Sequence, residues 1–486
     1  MNTLKTLLCF VFLLAAPMIF GQKKDIQDSS NKSVRIIELL NKYNEYGLFN
    51  GSALVAEKGE IIVKQGWGFA NMEWNISNQP DTKHRLGSIT KQFTALLIMQ
   101  LVEQGKLELD VPISTYLNDY PKPNGDLITI HHLLTHTSGI PNYTSFNNFF
   151  KNSKENYSPT EFIKLFADSC LQFKPGEKLD YSNSGYYLLG AIIERATNKS
   201  YEQVLKENIL EPLNMHNTGC DHYSEILKNR ASGYEKTGSQ FVNAPYLDMS
   251  VTYAAGSLYS TVEDLYLWDQ ALYSTKLINK QSMELLFNKH ASISPTTHYG
   301  YGWTIGGYGD DSITIISHAG GINGFNSLIS RIPKDKNLVV LLNNTGGTVL
   351  NEISTGILNI LYNKPYGMPK KSLANLLVDS LQKQDISKTI KLFHKLKNDS
   401  LYSINEYEIN SIGYKLLQSG KVKEAIEVFK LNVEIFPNSG NVYDSLGEAY
   451  MLYGNKELAI YNYKKSIELN PNNQTGKKVL EKLLSN

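Results

Sequence analysis

The chain has 486 residues, a formal net charge of +1, 42% hydrophobic residues and 20% charged residues. This length suggests three domains at most, and the composition is that of a globular protein able to bury a sizeable core. The near-zero charge gives no reason to expect a nucleic acid or an anionic membrane surface as a partner.

The N-terminus has the pattern of a signal peptide. Lys5 supplies a positive charge, and Leu7 to Ala16 form an apolar run that is too short for a stable membrane span. Cleavage is expected after Gly21. We therefore expect residues 1–21 to be removed and the mature protein to be exported, to a periplasm or to the cell exterior.

The next segments predict a helix, a hairpin and a second helix. Apolar residues recur at helical spacing over residues 34–43, and two strand-like runs are joined by Lys58-Gly59, a hairpin signal. Ser88-Ile89-Thr90-Lys91 then opens a strongly apolar stretch that ends at Gly105. This stretch predicts a buried central helix that begins at or near Ser88.

Ser88 and Lys91 are spaced for joint chemistry. Three residues are close to one helical turn, so the two side chains share a face. A serine at a helix N-terminus lies among free N–H groups, and burial lowers the pKa of a lysine so that it can accept a proton. This predicts a serine nucleophile activated without histidine. The alternative is an N-cap serine followed by an unrelated lysine.

The histidines and cysteines give weaker signals. His132 and His136 have the spacing of zinc ligands on a helix, but Leu133 stands where a zinc hydrolase needs a glutamate, and no third ligand suggests itself. We expect a structural turn there, with no metal and no cofactor. Cys170 and Cys220 remain after cleavage, and their spacing leaves open whether they pair.

A second cluster is Tyr181-Ser182-Asn183, in the predicted loop before an apolar helix. A phenol held out of bulk water beside a lysine ammonium can lose its proton more easily and relay one. The Asn183 amide can donate and accept hydrogen bonds together. A turn that caps the following helix is the alternative interpretation.

A third cluster follows a strand-like run at residues 313–317. His318-Ala319-Gly320-Gly321 comes next, and further strands are predicted at 326–332 and 338–343. Glycines at an antiparallel sheet edge let a backbone N–H approach a substrate closely. A helix over 348–361 is expected to close this domain.

The C-terminal part contains an internal repeat. Residues 366–404 suggest a helical linker, and two units with a 34-residue period follow over 405–475, the period of tetratricopeptide repeats. Two units are fewer than the three normally needed for stability. Five positions recur in register: Gly413, Gly420, Ala425, Phe429 and Pro437, then Gly447, Gly454, Ala459, Tyr463 and Pro471.

Taken in order, the three clusters resemble the motifs of class C β-lactamase-like serine hydrolases, which include penicillin-binding D-Ala-D-Ala carboxypeptidases, D-aminopeptidases and esterases. The resemblance covers about residues 33–365. It implies an α/β (α+β) domain in which an antiparallel sheet is flanked by helices, with an all-helical domain beside it. An all-α tetratricopeptide repeat region is expected to follow.

The resemblance also implies roles for the motif residues. Ser88 would be the nucleophile, and Lys91 and Tyr181 would share general base and acid work. The backbone N–H groups of Ser88 and Gly321 would form the oxyanion hole. The remaining substrate-binding positions would be Asn183, His318, Gly320 and Gly321.

One departure concerns the third motif, which is often Lys-Thr-Gly in this family. A literal Lys236-Thr237-Gly238 exists, but it lies in a polar turn only 53 residues after Asn183. We interpret it as a decoy and expect His318-Ala319-Gly320 to be the functional motif.

Two functions remain open from the sequence. The first is a secreted serine hydrolase that forms an acyl-enzyme on Ser88 with a peptide, amide or ester substrate. The second is a catalytically silent penicillin-binding-like domain that serves, with its repeats, as a protein-interaction module. The expected partners are a small-molecule or peptide substrate for the hydrolase and a protein partner at the repeats, with no nucleic acid and no stable membrane span.

Overall fold

The computed structural model describes residues 18–309, 313–348 and 350–485. The predicted signal peptide lies mostly outside this range, and no helix of the described part is long and apolar enough to cross a membrane. The described chain divides into two compact units: residues up to 233 with 244–367, and residues 234–243 with those from 368 onward.

The strands run as follows: β1 Gly51–Glu57, β2 Glu60–Trp67, β3 Phe69–Asn71, β4 Ile76–Ser77, β5 His84–Arg85, β6 Gly219–Cys220, β7 Tyr234–Thr237, β8 Gln240–Asn243, β9 Leu258–Ser260, β10 Ala291–Ser292, β11 His298–Tyr299, β12 Thr304–Tyr308, β13 Ile313–Ile322, β14 Phe325–Ile332, β15 Asn337–Asn343, β16 Lys371–Ser372 and β17 Tyr402–Ser403.

The helices run as follows: α1 Met18–Glu45, α2 Thr90–Glu103, α3 Lys122–Gly125, α4 Ile130–Leu134, α5 Phe149–Asn152, α6 Pro159–Ile163, α7 Asn183–Thr197, α8 Tyr201–Leu205, α9 Glu211–Leu213, α10 Tyr253–Gly256, α11 Val262–Ala271, α12 Lys280–Leu286, α13 Leu350–Leu361, α14 Leu373–Lys383, α15 Ile386–Leu396, α16 Glu406–Gln418, α17 Val422–Ile435, α18 Gly440–Tyr453, α19 Lys456–Leu469 and α20 Gln474–Ser485.

The first unit is built on an eight-stranded antiparallel sheet of order β10-β11-β12-β13-β14-β15-β1-β2. The predicted hairpin β1–β2 is confirmed. Its turn residues, Lys58 and Gly59, both have positive φ, at 54° and 87°, as a tight two-residue hairpin turn requires. The strands predicted after His318 are confirmed as β14 and β15.

Both faces of this sheet are covered. Along β15, Val339 and Leu341 pack with α1 and α13, whereas Leu338, Val340 and Leu342 pack into a core that contains α2 and α7. Successive side chains of a strand point to opposite faces, so a fully apolar strand serves two cores at once. The result is three layers, with the buried helix α2 on the side of the larger core.

The second unit consists of α14 to α20 and the hairpin β7–β8. α18 begins at Gly440, 34 residues after the start of α16 at Glu406, so the predicted repeat corresponds to two similar helix pairs. The recurring glycines and aromatic residues pack against each other. A Cβ at Gly413 would lie 2.3 Å from the Phe429 ring, and one at Gly447 would lie 3.2 Å from the Tyr463 ring.

Two sequence-based boundaries need correction. The segment predicted as a linker, 366–404, contains α14 and α15, whose apolar side chains Leu373, Leu377 and Phe393 belong to a core shared with α16 and α17. The hairpin 234–243 interrupts the first unit in sequence but belongs to the second. In that hairpin the Ser239 N–H donates to Asp379 Oδ1 at 3.0 Å.

Candidate active site

Ser88 lies in a short 3-10 turn, Gly87–Ile89, directly before α2. The expected helix start is thus correct to within two residues. Gly87 has φ +55°, and a Cβ there would stand 2.9 Å from the backbone N and O of Gly321. Only glycine allows this close approach of the turn to β13. The approach holds the serine beside that strand.

Lys91 is fully buried in the first turn of α2. Its Nζ lies 3.0 Å from Ser88 Oγ, 2.8 Å from Asn183 Oδ1 and 2.8 Å from the carbonyl oxygen of Ala255. Burial holds the pKa of this amine well below its ordinary value, and no carboxylate of the described residues lies within salt-bridge distance of it.

The neutral form of Lys91 satisfies all three contacts. A neutral amine has two N–H bonds and one lone pair. The N–H bonds can go to the oxygens of Asn183 and Ala255, since these atoms only accept. The lone pair is then left for the Ser88 hydroxyl, which can donate. This arrangement prepares the serine to lose its proton to the lysine.

Tyr181 lies in the loop before α7, as predicted, and its hydroxyl hydrogen-bonds with Ser88. Lys91 Nζ stands 5.0 Å from the centre of the Tyr181 ring. The expectation of an easily lost phenol proton is wrong: burial raises the pKa of this hydroxyl above its ordinary range, and the Ser88 hydrogen bond only partly opposes the rise. Tyr181 is therefore a proton donor at neutral pH.

Asn183 is the first residue of α7 rather than part of the preceding loop. Its Oδ1 accepts from Lys91, and its Nδ2 donates to Asn142 Oδ1 at 3.3 Å. Asn142 Oδ1 also accepts from the Asn183 backbone N–H at 3.3 Å. Asn142 thereby fixes the orientation of the amide and turns its oxygen towards the lysine.

His318 lies on β13 near Tyr181, with 6.3 Å between ring centres, but its nitrogens are occupied. Nδ1 lies 2.7 Å from the Ala319 carbonyl oxygen, so it carries the proton, and Nε2 accepts from the Tyr299 hydroxyl at 2.9 Å. Burial lowers the pKa of His318 to about 4, and Lys91 adds to this effect when it is protonated. Both nitrogens of this neutral imidazole are bonded within the protein, and substrate binding by His318 stays a prediction.

The two glycines after it have different roles. A Cβ at Gly320 would stand 1.9 Å from the Leu86 carbonyl oxygen, and Ser327 Oγ donates to that oxygen at 2.6 Å. Gly320 therefore packs closely against the Ser88 turn, and its contact with substrate stays a prediction. Gly321 pairs with Asn326 next to a two-residue turn, so its N–H points away from β14, towards Ser88.

An open cleft of about 180 Å³ lies beside Ser88. Among the described residues, none of the side chains lining it is charged. Its walls are formed by aromatic and aliphatic side chains, by glycine backbone and by uncharged polar side chains, namely those of Ser88, Thr144, Asn183, Thr252 and Asn323. The wall residues include Tyr143, Phe149, Leu247, Ile322, Gly256 and Gly321.

The histidines considered as zinc ligands have structural roles. His132 Nδ1 accepts from the Thr129 N–H in a helix cap, and His136 Nδ1 accepts from the Ser182 N–H at 3.2 Å. The His136 ring also stacks on Tyr181, with centres 4.1 Å apart. No group of three metal-ligating side chains is found in the part of the chain described. Cys170 and Cys220 are both free thiols.

Sequence reasoning missed Asn142, Tyr299 and the Ala255 carbonyl, although each contacts a motif residue. Two further stretches, residues 134–141 and 255–258, resemble class C β-lactamase-like sequences. Asn142 directly follows the first stretch and Ala255 opens the second, so a sequence signal existed for both. Tyr299 is contributed by β11, and no sequence pattern marks it.

Comparison with known proteins identifies the family of the chain. Residues 35–361 match the family model described as Beta-lactamase. PbpX of Bacillus subtilis, provisionally described as a penicillin-binding protein, is 33% identical over 346 residues, which cover 70% of this chain and 83% of that protein. The fold and the comparisons define the class as serine hydrolases, and the chain belongs to the Beta-lactamase family.

Solved structures give the same assignment. A penicillin-binding protein from Bacillus halodurans superposes with a TM-score of 0.60 at 28% identity, covering 67% of this chain and 99% of that one. A D-amino acid amidase from Ochrobactrum anthropi, complexed with L-phenylalanine amide, superposes with a TM-score of 0.61 at 25% identity, covering 69% and 99%. These structures support the predicted fold class for the first unit.

Proposed function

We propose that the protein is an exported serine hydrolase that acts through an acyl-enzyme on Ser88. The observation that carries this proposal is the position of Lys91: fully buried, with a lowered pKa and no acidic partner in the described chain, and 3.0 Å from Ser88 Oγ. A buried amine held in this way is a proton acceptor rather than a structural cation.

The reaction follows from the contacts. Neutral Lys91 takes the Ser88 proton as Oγ attacks the substrate carbonyl carbon, and the N–H groups of Ser88 and Gly321 stabilise the oxyanion. The C–N or C–O bond then breaks as Tyr181 gives its proton to the leaving group, and the Lys91 ammonium reprotonates Tyr181. In deacylation, water loses a proton to neutral Lys91 and attacks the ester carbonyl carbon. The C–Oγ bond then breaks, and the Lys91 ammonium returns that proton to Ser88 Oγ.

We propose amides or esters without an obligatory carboxylate beside the scissile bond as substrates. The uncharged cleft supports this, because no side chain lining it offers a positive charge. His318, neutral and bonded to Tyr299, offers none either. The D-amino acid amidase from Ochrobactrum anthropi is named for an amide substrate, which is compatible with this proposed class.

The remaining assignments are also proposals. The signal-peptide pattern of residues 1–21 supports export, to a periplasm or beyond the cell. The 34-residue offset of the helix pairs and the glycine–aromatic contacts support tetratricopeptide repeats, which would bind a protein partner.

Intact-mass spectrometry with a fluorophosphonate tests the central claim. We expect one adduct on the full chain, its loss in Ser88→Ala, and its retention in Ser145→Ala, an exposed serine that follows Thr144 of the cleft wall. An adduct on another serine would refute the mechanism. A folded wild type that forms no adduct would favour the silent interaction module.

A further inference from the structure

A second cavity lies in the first unit, apart from the catalytic cleft. Its volume is about 320 Å³, which is within the range of small-molecule sites, and it shares no lining residue with the cleft. The short helix α10 separates the two: Tyr253 faces the cavity, whereas Ala255 and Gly256 line the cleft.

The walls of this cavity are rich in tyrosine. The Tyr253 ring packs between Tyr187 and Tyr201, with ring centres 4.9 Å and 5.3 Å away, and Tyr157 also lines the cavity. The hydroxyls of Tyr187 and Tyr201 bond to Ser250 and Thr94. The Tyr253 hydroxyl is buried and interacts with the Glu194 carboxylate, and burial together with this carboxylate raises the pKa of the phenol.

The charge in the cavity is negative and incompletely balanced. Asp221 is paired with Arg85 and Arg230, and Glu202 lies 3.0 Å from His222. Glu194 uses one oxygen to accept the Tyr201 N–H at 2.8 Å and has no cationic partner within 4 Å among the described residues. Among the described residues, neither a lysine nor an arginine lines this cavity.

We propose that this cavity binds a small organic cation, an ammonium group carried on an apolar body. The ammonium would lie beside the Glu194 carboxylate and the Tyr253 hydroxyl, and the tyrosine faces would surround it, since π-faces attract cations. The apolar body would fill the remaining aromatic space. A metal ion does not fit, because no group of three metal ligands is found in the described chain.

The site is one of binding rather than catalysis. The Cys220 thiol lines the cavity, but burial raises the pKa of this thiol above its ordinary range, so that little thiolate forms.

Titration calorimetry of the full-length protein at pH 7.5 and low salt tests the proposal. The probes are benzylamine, which is charged, and benzyl alcohol, which has nearly the same shape and no charge. We expect benzylamine to bind at least tenfold more tightly. Glu194→Gln, which keeps the acceptor for Tyr201, should weaken benzylamine at least tenfold and leave benzyl alcohol unchanged.

Two further variants complete the design. Glu38→Gln removes the same charge from the exposed face of α1 and should change neither affinity. Tyr253→Phe keeps the ring and should weaken benzylamine severalfold, so it decides the matter if Glu194→Gln fails to fold. Equal affinities for the two probes, or a loss that Glu38→Gln reproduces, would overturn the proposal, as would the absence of any measurable binding.

Discussion

Replacing Lys91 with methionine tests two consequences of burying an amine, one for catalysis and one for stability. Methionine has a similar length and no ionisable group, so it removes both the proton acceptor and the cost of burying that group. Ser88 Oγ, 3.0 Å away, loses the partner that would accept its proton. Loss of a positioned general base costs a factor of roughly 10² to 10⁴, or about 3–5 kcal/mol of activation free energy. We expect acylation of Lys91→Met to slow by that factor.

The same change acts on stability, with a predictable dependence on pH. Burial lowers the Lys91 pKa in the folded state, whereas the unfolded chain has an ordinary lysine. Between the lowered pKa and about 10.4 the unfolded state binds more protons, so the free energy of unfolding rises with pH. Each unit by which the pKa is lowered is worth about 1.4 kcal/mol. Below the lowered pKa the destabilisation by Lys91 is complete.

Lys91→Met removes this penalty but leaves the oxygens of Asn183 and Ala255 without a donor. An unsatisfied buried acceptor costs about 1–3 kcal/mol, independently of pH. The diagnostic quantity is therefore the slope of stability against pH between pH 7 and 10, not stability at one pH. We expect the variant to show a flatter slope than the wild type.

The assay combines stopped-flow acylation by an activated ester with urea unfolding from pH 7 to 10. Lys64→Met is the matched control, because Lys64 is partly exposed and pairs with Glu263 on the surface. It should change neither the acylation rate nor the slope by much. A Lys91→Met protein that acylates within tenfold of the wild type, or keeps the wild-type slope, would refute the role of Lys91 as base.

Three further predictions concern other parts of the chain. Because the folded-state pKa of His318 is lowered to about 4, the free energy of unfolding should fall as pH drops from about 7 to 4. His318→Gln should reduce that fall by up to about 3 kcal/mol in urea titrations. An unchanged fall would mean that the folded imidazole has an ordinary pKa. Of two esters that differ only by a carboxylate beside the scissile bond, the uncharged one should show at least tenfold higher kcat/KM, since the cleft lining carries no charge; equal values would contradict the proposed substrate class. Truncation after Gly367 should give a soluble, active hydrolase when residues 234–243 are also deleted and Gly233 is joined to Ala244. The join is short, because the Ala244 N–H already bonds to the Gly233 carbonyl at 3.0 Å. Truncation alone should give a less soluble protein, and equal solubility of the two proteins in sedimentation would refute a hairpin that needs the second unit.

The parts of the site that the sequence predicts well are those fixed by local spacing. Ser88 and Lys91 are joined by one helical turn, and Tyr181 and Asn183 flank the start of α7, so their neighbours along the chain determine their geometry. The strands around His318 were predictable for the same reason, because their apolar runs and turns are continuous in sequence.

The features of the site that the sequence did not predict arise where segments distant in sequence meet. Nothing near His318 in sequence indicates that the Tyr299 hydroxyl occupies Nε2, or that Gly320 packs against the Leu86 carbonyl. The Tyr181 pKa was misjudged because a nearby ammonium was weighed without the depth of burial around the phenol. Burial is set by the whole fold, so it cannot be obtained from a motif.

Lys236-Thr237-Gly238 shows that a motif can act in the chemistry only when it lies on the strand beside the nucleophile. These three residues match the motif sequence that is common in the family, but they lie in β7 and its turn, a hairpin that belongs to the second unit. There burial lowers the Lys236 pKa, and Glu408 and Asp379 oppose that shift. His318-Ala319-Gly320 lacks the lysine but lies on β13, the strand on which the Ser88 turn packs at Gly321. A strand beside the nucleophile can present a backbone N–H to a substrate whatever its side chains are. The placement of the strand therefore decides which motif takes part in the chemistry, and its side chains decide only which substrates are favoured.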